Sequence, residues 1–244
     1  MTDSSALRAG VCAGADRYSS MSHILVLIGA QGAGKGTQAQ MVAERYSLPI
    51  VATGEILRKE AEADTPLGLH IRETQKAGKF VSDDILAGVV RKRTIEDDCR
   101  KGYILDGFPR TLPQANLLEE LAREQRHKVM VINIDVPRDL LYKRMEGRRT
   151  CPVCGRTYNI YFSPSRQESI CDIDGGSLFI RDDDRPEAIA ERLALYDEQT
   201  RPLLDYFSQS GFVQVVDGTG TPQEVFERVV LVIEKGKGGL SAKS

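Results

Sequence analysis

The chain has 244 residues, of which 28% are charged and 41% hydrophobic, and its formal net charge is −2 at pH 7. This length predicts one substantial core with small appended lobes instead of two full domains. A net charge near zero gives no global attraction to nucleic acid or to an anionic membrane, so we expect neither as a partner. The longest apolar runs, such as HILVLIGA, fall short of the roughly 20 residues that cross a bilayer.

The termini and the cysteines indicate the cellular compartment of the protein. Residues 1–20 lack the apolar core of a secretory signal and contain two Asp, so we expect a disordered extension, and we expect a flexible tail at 236–244. Cys12 and Cys99 are isolated, and the other three cysteines lie within 21 positions. This spacing is not typical of a secreted disulfide framework, so we expect a cytoplasmic protein.

Strand and helix patterns alternate along the chain. Apolar runs rich in β-branched residues predict strands at 23–29, 102–107, 128–136 and 211–218, with a shorter candidate at 48–54. Their continuous pattern is typical of strands buried on both faces, and helical patterns lie between them. We therefore predict an α/β fold with a five-stranded parallel sheet flanked by helices.

Two segments fall outside this alternation, and we expect both to be lobes inserted into one core. The first insertion, residues 52–81, is helical and charged. The second insertion, residues 147–184, is rich in Gly, Pro, Cys, Asp and Arg. The predicted core is then made of 21–51, 82–146 and 185–235.

The first predicted strand runs directly into GAQGAGKGT, residues 29–37, and then into a helical pattern. The glycines allow successive backbone N–H groups to turn toward phosphate oxygens, and Lys35 adds a mobile positive charge. The simpler interpretation is a glycine-rich turn between a strand and a helix, but a lysine directly after the last glycine of such a turn favours a nucleotide site. Its expected contacts are Gly32, Ala33, Gly34, Lys35, Gly36 and Thr37.

Asp106 and Arg110 follow the predicted strand at 102–107. A carboxylate in this place can reach Mg²⁺ through water, and the alternative is a helix-capping Asp. Arg110 is projected from the carboxyl end of the strand, where ligands bind in open α/β sheets, although a single Arg is more often a solvated surface charge.

More arginines surround the second insertion. Arg144 and Arg148 are four residues apart, which on one helix would point both side chains the same way. Arg181, Asp183, Asp184 and Arg192 follow the insertion. Several guanidiniums can stabilise the charge of a transferring phosphoryl group, and the alternative is a run of surface ion pairs.

The second insertion contains two matching halves, CPVCG and CDIDG. In each half, two possible metal ligands are separated by two residues and followed by Gly, which predicts a structural zinc site of Cys151, Cys154, Cys171 and Asp174. Asp172 competes for the fourth place, but its spacing to Cys171 is wrong. A redox pair of Cys151 and Cys154 is the non-metal alternative. A lobe of this size buries little apolar surface, so a metal would supply folding free energy.

Four separated motifs now point to one family. GKGTQAQ, ATGEILR at 52–58, LDGFPRT at 105–111 and the Cys/Asp insertion together resemble adenylate kinase, in its long-lid, zinc-containing bacterial-type form. The resemblance extends from about Met21 to the final helix. Gln31 stands where the family usually has Pro, Glu55 where Asp is common, and Gly220 where some members carry Lys.

The resemblance implies a phosphate-loop kinase core, an AMP-binding first insertion and a zinc lid that closes over ATP. It implies Mg²⁺-dependent transfer of a phosphoryl group from ATP to AMP, giving two ADP, by a monomer. The implied ATP contacts beyond the phosphate loop are Arg144, Arg148, Thr157, Tyr158 and Gly220. The implied AMP contacts are Thr53, Arg58, Lys79, Phe80, Val81, Gly107, Phe108, Pro109, Arg110, Gln114, Arg181 and Arg192. The implied catalytic residues are Lys35, Arg110, Arg144, Arg148, Arg181, Asp183, Asp184 and Arg192, with the two aspartates paired to lid arginines.

Other functions remain open at this point. A different nucleoside monophosphate kinase could accept UMP or CMP, or take GTP as donor. A nucleotide-dependent switch or a zinc-ribbon binding module would be a different class, but a switch needs few convergent arginines. By the resemblance, the long metal lid and the amide of Gln114, which can pair with an adenine edge, favour adenine.

Overall fold

The computed structural model describes residues 23–77, 79, 81–209, 211 and 213–238. Its strands are β1 (His23–Ile28), β2 (Ile50–Ala52), β3 (Gly102–Asp106), β4 (Lys128–Asp135), β5 (Arg148–Thr150), β6 (Thr157–Asn159) and β7 (Val213–Asp217). Five of them form one parallel sheet in the order β2-β3-β1-β4-β7. The predicted α/β fold and five-stranded sheet are therefore confirmed.

The helices occupy the segments between the strands. They are α1 (Lys35–Tyr46), α2 (Thr53–Ala61), α3 (Pro66–Lys76), α4 (Asp83–Thr94), α5 (Leu112–Gln125), α6 (Arg138–Glu146), α7 (Pro186–Leu195), α8 (Pro202–Gln209) and α9 (Pro222–Gly238). A π-helical turn, Tyr196–Thr200, joins α7 to α8, and two 3₁₀ turns lie at Asp97–Lys101 and Asp182–Asp184. No helix among the described residues is long and apolar enough to cross a membrane.

The sheet separates two hydrophobic clusters because successive side chains of a strand point to opposite faces. In β1, Ile24, Val26 and Ile28 join the cluster that contains residues of α4, α5 and α8. Leu25 and Leu27 join the opposite cluster, with residues of α1, α6, α7 and α9. Both faces are covered, which explains the continuous apolar runs. The site lies at the carboxyl ends of the strands.

Each insertion has a small apolar cluster. In the first, residues of α2 and α3 pack with Val81 and Leu86. In the second, β5 and β6 form an antiparallel pair, and Cys151, Tyr158 and Cys171 are buried together. The domain boundaries at 52, 81, 147 and 184 stay predictions.

Helix α9 continues to Gly238, so the first three residues of the tail predicted for 236–244 are helical, and the rest of that segment lies outside the described residues. One sequence-based expectation is wrong. Arg144 and Arg148 do not share a helix, because α6 ends at Glu146 and Arg148 lies in β5. Asn159 donates from its side chain to the Arg144 carbonyl at 2.8 Å, so a group outside the helix caps its last turn. The disorder predicted for 1–20 concerns residues outside the described part of the chain.

Candidate active site

The loop between β1 and α1 has the backbone that a phosphate loop needs. Gly32 and Gly34 have φ of 83° and 96°, where a side chain would be strained. A Cβ at Gly29 would lie 2.6 Å from the Ile134 carbonyl oxygen, and one at Gly32 would lie 3.0 Å from that of Leu141. The loop is therefore held against β4 and α6, with no room for side chains at these positions.

Lys35 folds back over this loop. Its Nζ donates to the carbonyl of Gly29 at 2.8 Å and to that of Ala30 at 3.0 Å. Burial lowers the pKa of Lys35 to about 8; the Asp106 carboxylate opposes this shift, and the guanidiniums of Arg110 and Arg192 add to it. A lysine among arginines is stabilised by a bound anion, which makes this loop a site for phosphate.

Asp106 ends β3 beside the first turn of α1. A Cβ at Gly36 would lie 3.3 Å from Asp106 Oδ2, so the carboxylate faces the start of that helix. A carboxylate here fits Mg²⁺, which prefers oxygen ligands and keeps several waters. Thr37 is exposed in the same turn.

Thr53 and Arg110 meet at the carbonyl of Gly107, just after β3. The Thr53 hydroxyl donates to this oxygen at 3.1 Å, and Arg110 Nε donates to it at 2.8 Å. A Cβ at Gly107, whose φ is 82°, would lie 2.9 Å from Arg110 Nη2. Arg58 lies one helical turn from Gly54, and its Nη1 would be 3.3 Å from a Cβ at that glycine. The predicted acceptor residues of α2 and of the segment after β3 are thus brought together.

Five guanidiniums are close enough to repel one another, those of Arg58, Arg110, Arg148, Arg181 and Arg192. Burial lowers the pKa of Arg110 to about 10, and repulsion from Arg192 lowers it further. Burial also lowers the pKa of Arg181 to about 10, with Arg148 and Arg58 adding to the shift. Like charges accumulated in a buried place favour the binding of an anion.

Two aspartates hold part of this cluster in position. The Asp184 side chain is fully buried and accepts two hydrogen bonds from Arg148, one of them from Nε at 2.6 Å. Arg192 pairs with Asp183 at 2.8 Å. The pairing predicted for Asp184 therefore involves the arginine of β5 in the second insertion, whereas Asp183 is paired to α7.

Arg144 serves a different part of the site from Arg148. It donates to the Gly218 carbonyl at 3.0 Å and to the Ala33 carbonyl at 3.4 Å. Arg144 therefore connects the phosphate loop to the loop after β7, which also contains Gly220 with φ of 96°. The spacing of four residues did not predict that Arg144 and Arg148 serve different parts of the site, because the prediction placed both on one continuous helix.

The remaining predicted contacts differ in exposure. Lys79 and Thr157 are exposed, and Val81 and Phe108 are buried in apolar clusters. Pro109 is buried next to Arg110, and Phe80 lies outside the described residues. The Tyr158 hydroxyl lies 3.4 Å from Cys171 Sγ and accepts from the Asp172 N–H, so its side chain belongs to the cysteine cluster and only its main chain can face a nucleotide.

The sequence analysis missed three polar residues of this region, namely Asp83, Thr111 and Thr200. Asp83 accepts hydrogen bonds from the side chains of Gln114 and Thr111. Thr200, in the π-helical turn, donates to the Arg110 carbonyl at 3.0 Å. The helix-start pattern SDD at 82–84 marks Asp83 as polar, but no local spacing connects it to Gln114.

Cys151, Cys154, Cys171 and Asp174 converge in the second insertion, and their ligand atoms lie within 4.8 Å of one another. The two halves have matching turns: the N–H of Gly155 donates to the Cys151 carbonyl, and that of Gly175 to the Cys171 carbonyl. Both glycines have positive φ, 74° and 73°, a conformation that glycine adopts without strain. Asp172 instead accepts from the Arg166 N–H at 2.9 Å. Three thiols and one carboxylate fit a closed tetrahedral zinc site.

A phosphate loop after the first strand of a parallel sheet, faced by arginines from other elements, defines a phosphoryl-transfer enzyme of the phosphate-loop kinase class. A family model described as adenylate kinase matches residues 27–212. Proteins named adenylate kinase are 46% identical in Thermodesulfovibrio yellowstonii, over 86% of this chain and 99% of that relative, and 44% identical in Bacillus subtilis, over 84% and 95%. The chain belongs to the adenylate kinase family, and its function is that of an adenylate kinase.

Proposed function

We propose that the chain transfers the terminal phosphoryl group of ATP to AMP, reversibly, giving two ADP. The observation that carries this proposal is the convergence of Lys35 at the phosphate loop with Arg110, which meets Thr53 of α2 at the Gly107 carbonyl. One side grips a donor phosphate and the other an acceptor phosphate, as phosphoryl transfer requires.

The phosphoryl step needs no general base. An oxygen of the AMP phosphate is already anionic and attacks the γ-phosphorus of ATP, while the bond from that phosphorus to the β,γ-bridging oxygen breaks. Lys35 and Arg148 neutralise charge on the ATP side, and Arg58 and Arg110 hold the AMP phosphate in line. Arg181 and Arg192 lie between the two groups and stabilise the charge of the transition state.

Two metals accompany this proposal. Mg²⁺ would be held by Asp106 through water and would neutralise charge on the ATP phosphates. Zinc would be held by the three cysteines and Asp174, with all four ligand positions filled by protein, so its role would be structural.

We propose that the second insertion is a zinc lid that closes over ATP and excludes water, and that the first is an AMP-binding lobe. The metal-ligating thiols of the second insertion suit a reducing cytoplasm. The family resemblance favours a monomer.

A coupled assay of ADP formation tests the proposal. AMP should be accepted far better than UMP, CMP or GMP, and ATP better than GTP. Lys35→Ala and Arg110→Ala should each lower kcat/KM by about 10²–10³-fold, because each removes one group that stabilises the transition state. A higher rate with another acceptor would assign a different nucleoside monophosphate kinase. No turnover with any acceptor would favour a nucleotide switch.

A further inference from the structure

Asp83 and Gln114 form a hydrogen-bonded pair at the edge of the acceptor site. Gln114, in α5, is buried, and its Nε2 donates to Asp83 Oδ1 at 2.6 Å. Its Oε1 accepts from the backbone N–H of Arg110 at 2.8 Å. The Thr111 hydroxyl lies 3.1 Å from both oxygens of Asp83. Helix α4 thus fixes a side chain of α5 that is one hydrogen bond from Arg110.

These partners allow only one orientation of the Gln114 amide. An ionised carboxylate only accepts hydrogen bonds, so the group that faces Asp83 must be the NH₂. A backbone N–H only donates, so the group that faces Arg110 must be the carbonyl oxygen. Turning the amide over would place two acceptors against each other at Asp83 and two donors at Arg110. Each of those groups would then lose a hydrogen-bond partner.

A fixed amide distinguishes two kinds of purine. One N–H and one lone pair of the amide are not used by Asp83 and Arg110. Together they match the edge of adenine, whose amino group donates and whose ring nitrogen N1 accepts. A 6-oxopurine has the opposite pattern, an accepting oxygen and a donating N1–H, and it would match the amide only after the amide turned over.

We propose that Asp83 is a positioning residue that sets the preference for adenine over 6-oxopurines at the acceptor site, by holding the amide of Gln114 in one orientation. This inference rests on the proposed function, in which Gln114 meets the base of AMP. Asp83 does not itself need to touch the nucleotide.

The test compares AMP with IMP, which differ only at position 6 and N1 of the base, as acceptors in the coupled assay. Asp83→Asn keeps the shape of the side chain but can donate or accept, so the amide of Gln114 becomes free to turn over. The ratio of kcat/KM for AMP to that for IMP should fall about tenfold or more, through KM for the acceptors, with KM for ATP unchanged. Asp84→Asn is the matched control, because Asp84 is exposed in the same first turn of α4 and its loss changes the charge equally.

Two more variants separate the possible failures. Thr111→Val removes the second donor to Asp83 and should shift the ratio in the same direction, and it decides the question if Asp83→Asn does not fold. Gln114→Ala should abolish the preference for AMP. An unchanged ratio in Asp83→Asn, with the preference lost in Gln114→Ala, overturns the role of Asp83. An unchanged ratio in Gln114→Ala overturns the inference at its premise. A wild-type enzyme inactive with AMP overturns the proposed function itself.

Discussion

The surroundings of Lys35 favour the binding of an anion. It is covered by the loop whose carbonyls it contacts, and its position among arginines makes its charge costly until a phosphate arrives. Asp184 is prepared in the opposite way, since its buried carboxylate already has a cation, Arg148, as partner. The two residues give different predictions, one for ligand binding and one for stability.

The affinity for ATP should depend on the protonation of Lys35. With a pKa of about 8, Lys35 is charged below that pH and increasingly neutral above it in the free enzyme. ATP favours the charged form, so the apparent affinity should be nearly constant below pH 7 and fall about tenfold between pH 7 and pH 9. Calorimetric titration across this range measures it.

Lys35→Arg is the control for this pH dependence, because a guanidinium stays charged throughout the range. Its affinity should change little between pH 7 and pH 9. A wild-type affinity as flat as that of the variant would show that Lys35 does not titrate near pH 8.

Replacing Asp184 should destabilise the fold. Asp184→Asn would leave Arg148, whose side chain is 18% exposed, without its carboxylate, and we expect the free energy of unfolding to fall by about 3 kcal/mol. Urea denaturation followed by circular dichroism measures the change. Asp182→Asn is the matched control, because the Asp182 side chain is 57% exposed and its pair with Arg185 lies at the surface. Equal effects of the two substitutions would contradict the buried role of Asp184.

Among the elements, the second insertion depends least on apolar packing. Its buried cluster contains Cys151, Tyr158 and Cys171, so two of the four side chains that would hold a metal are also part of its core. The matching turns at Gly155 and Gly175 present these side chains to one point. Losing the metal would therefore remove most of what holds the element together.

Purified protein should contain about one zinc per chain, a stoichiometry expected for a single closed site. Asp174→Ala should lower the metal content and speed hydrogen exchange in 147–184, while residues of the sheet exchange as before, because only the second insertion depends on the metal. Elemental analysis and hydrogen-exchange mass spectrometry make the two measurements. Asp172→Ala is the matched control, since Asp172 contacts the Arg166 N–H and lies outside the four ligands. Metal loss in Asp172→Ala, or full retention in Asp174→Ala, would contradict the assigned ligand set.

The whole molecule brings donor and acceptor groups to one end of the sheet. The phosphate loop follows β1, Asp106 ends β3 and the Gly218 loop follows β7, and parallel strands place all three at their carboxyl ends. The arginines of the second insertion and α7 complete the arrangement from outside the sheet. Such a molecule should bind two nucleotides together.

A bisubstrate mimic, two adenosines joined through five phosphates, should bind once per chain and raise the melting temperature. At a concentration of about 100 times its Kd it should add about 2.7 kcal/mol to the free energy of unfolding. Differential scanning calorimetry with calorimetric titration provides both measurements. Lys35→Ala should weaken the stabilisation, since part of the mimic lies on the phosphate loop. Binding of two mimics per chain, or no shift in melting, would contradict a joint site.

The sequence predicted features that depend on neighbours in the chain. Glycine positions predicted the phosphate loop, and apolar runs predicted the five strands. The spacing of two or three residues predicted the matching turns at Gly155 and Gly175. These signals reflect local backbone geometry. The sequence missed the end of α6 at Glu146, since its cap comes from Asn159 on a later strand. It also missed the buried state of the Tyr158 side chain.

By itself, the sequence determined the fold class, the nucleotide loop and the four possible metal ligands, each from residues close along the chain. Only the tertiary structure decided which charges meet. Arg148 and Asp184 are 36 residues apart, Gln114 and Asp83 are 31 apart, and Arg144 and Gly218 are 74 apart. Such contacts depend on how the helices pack on a sheet whose strand order differs from the chain order, and packing is a property of the assembled core.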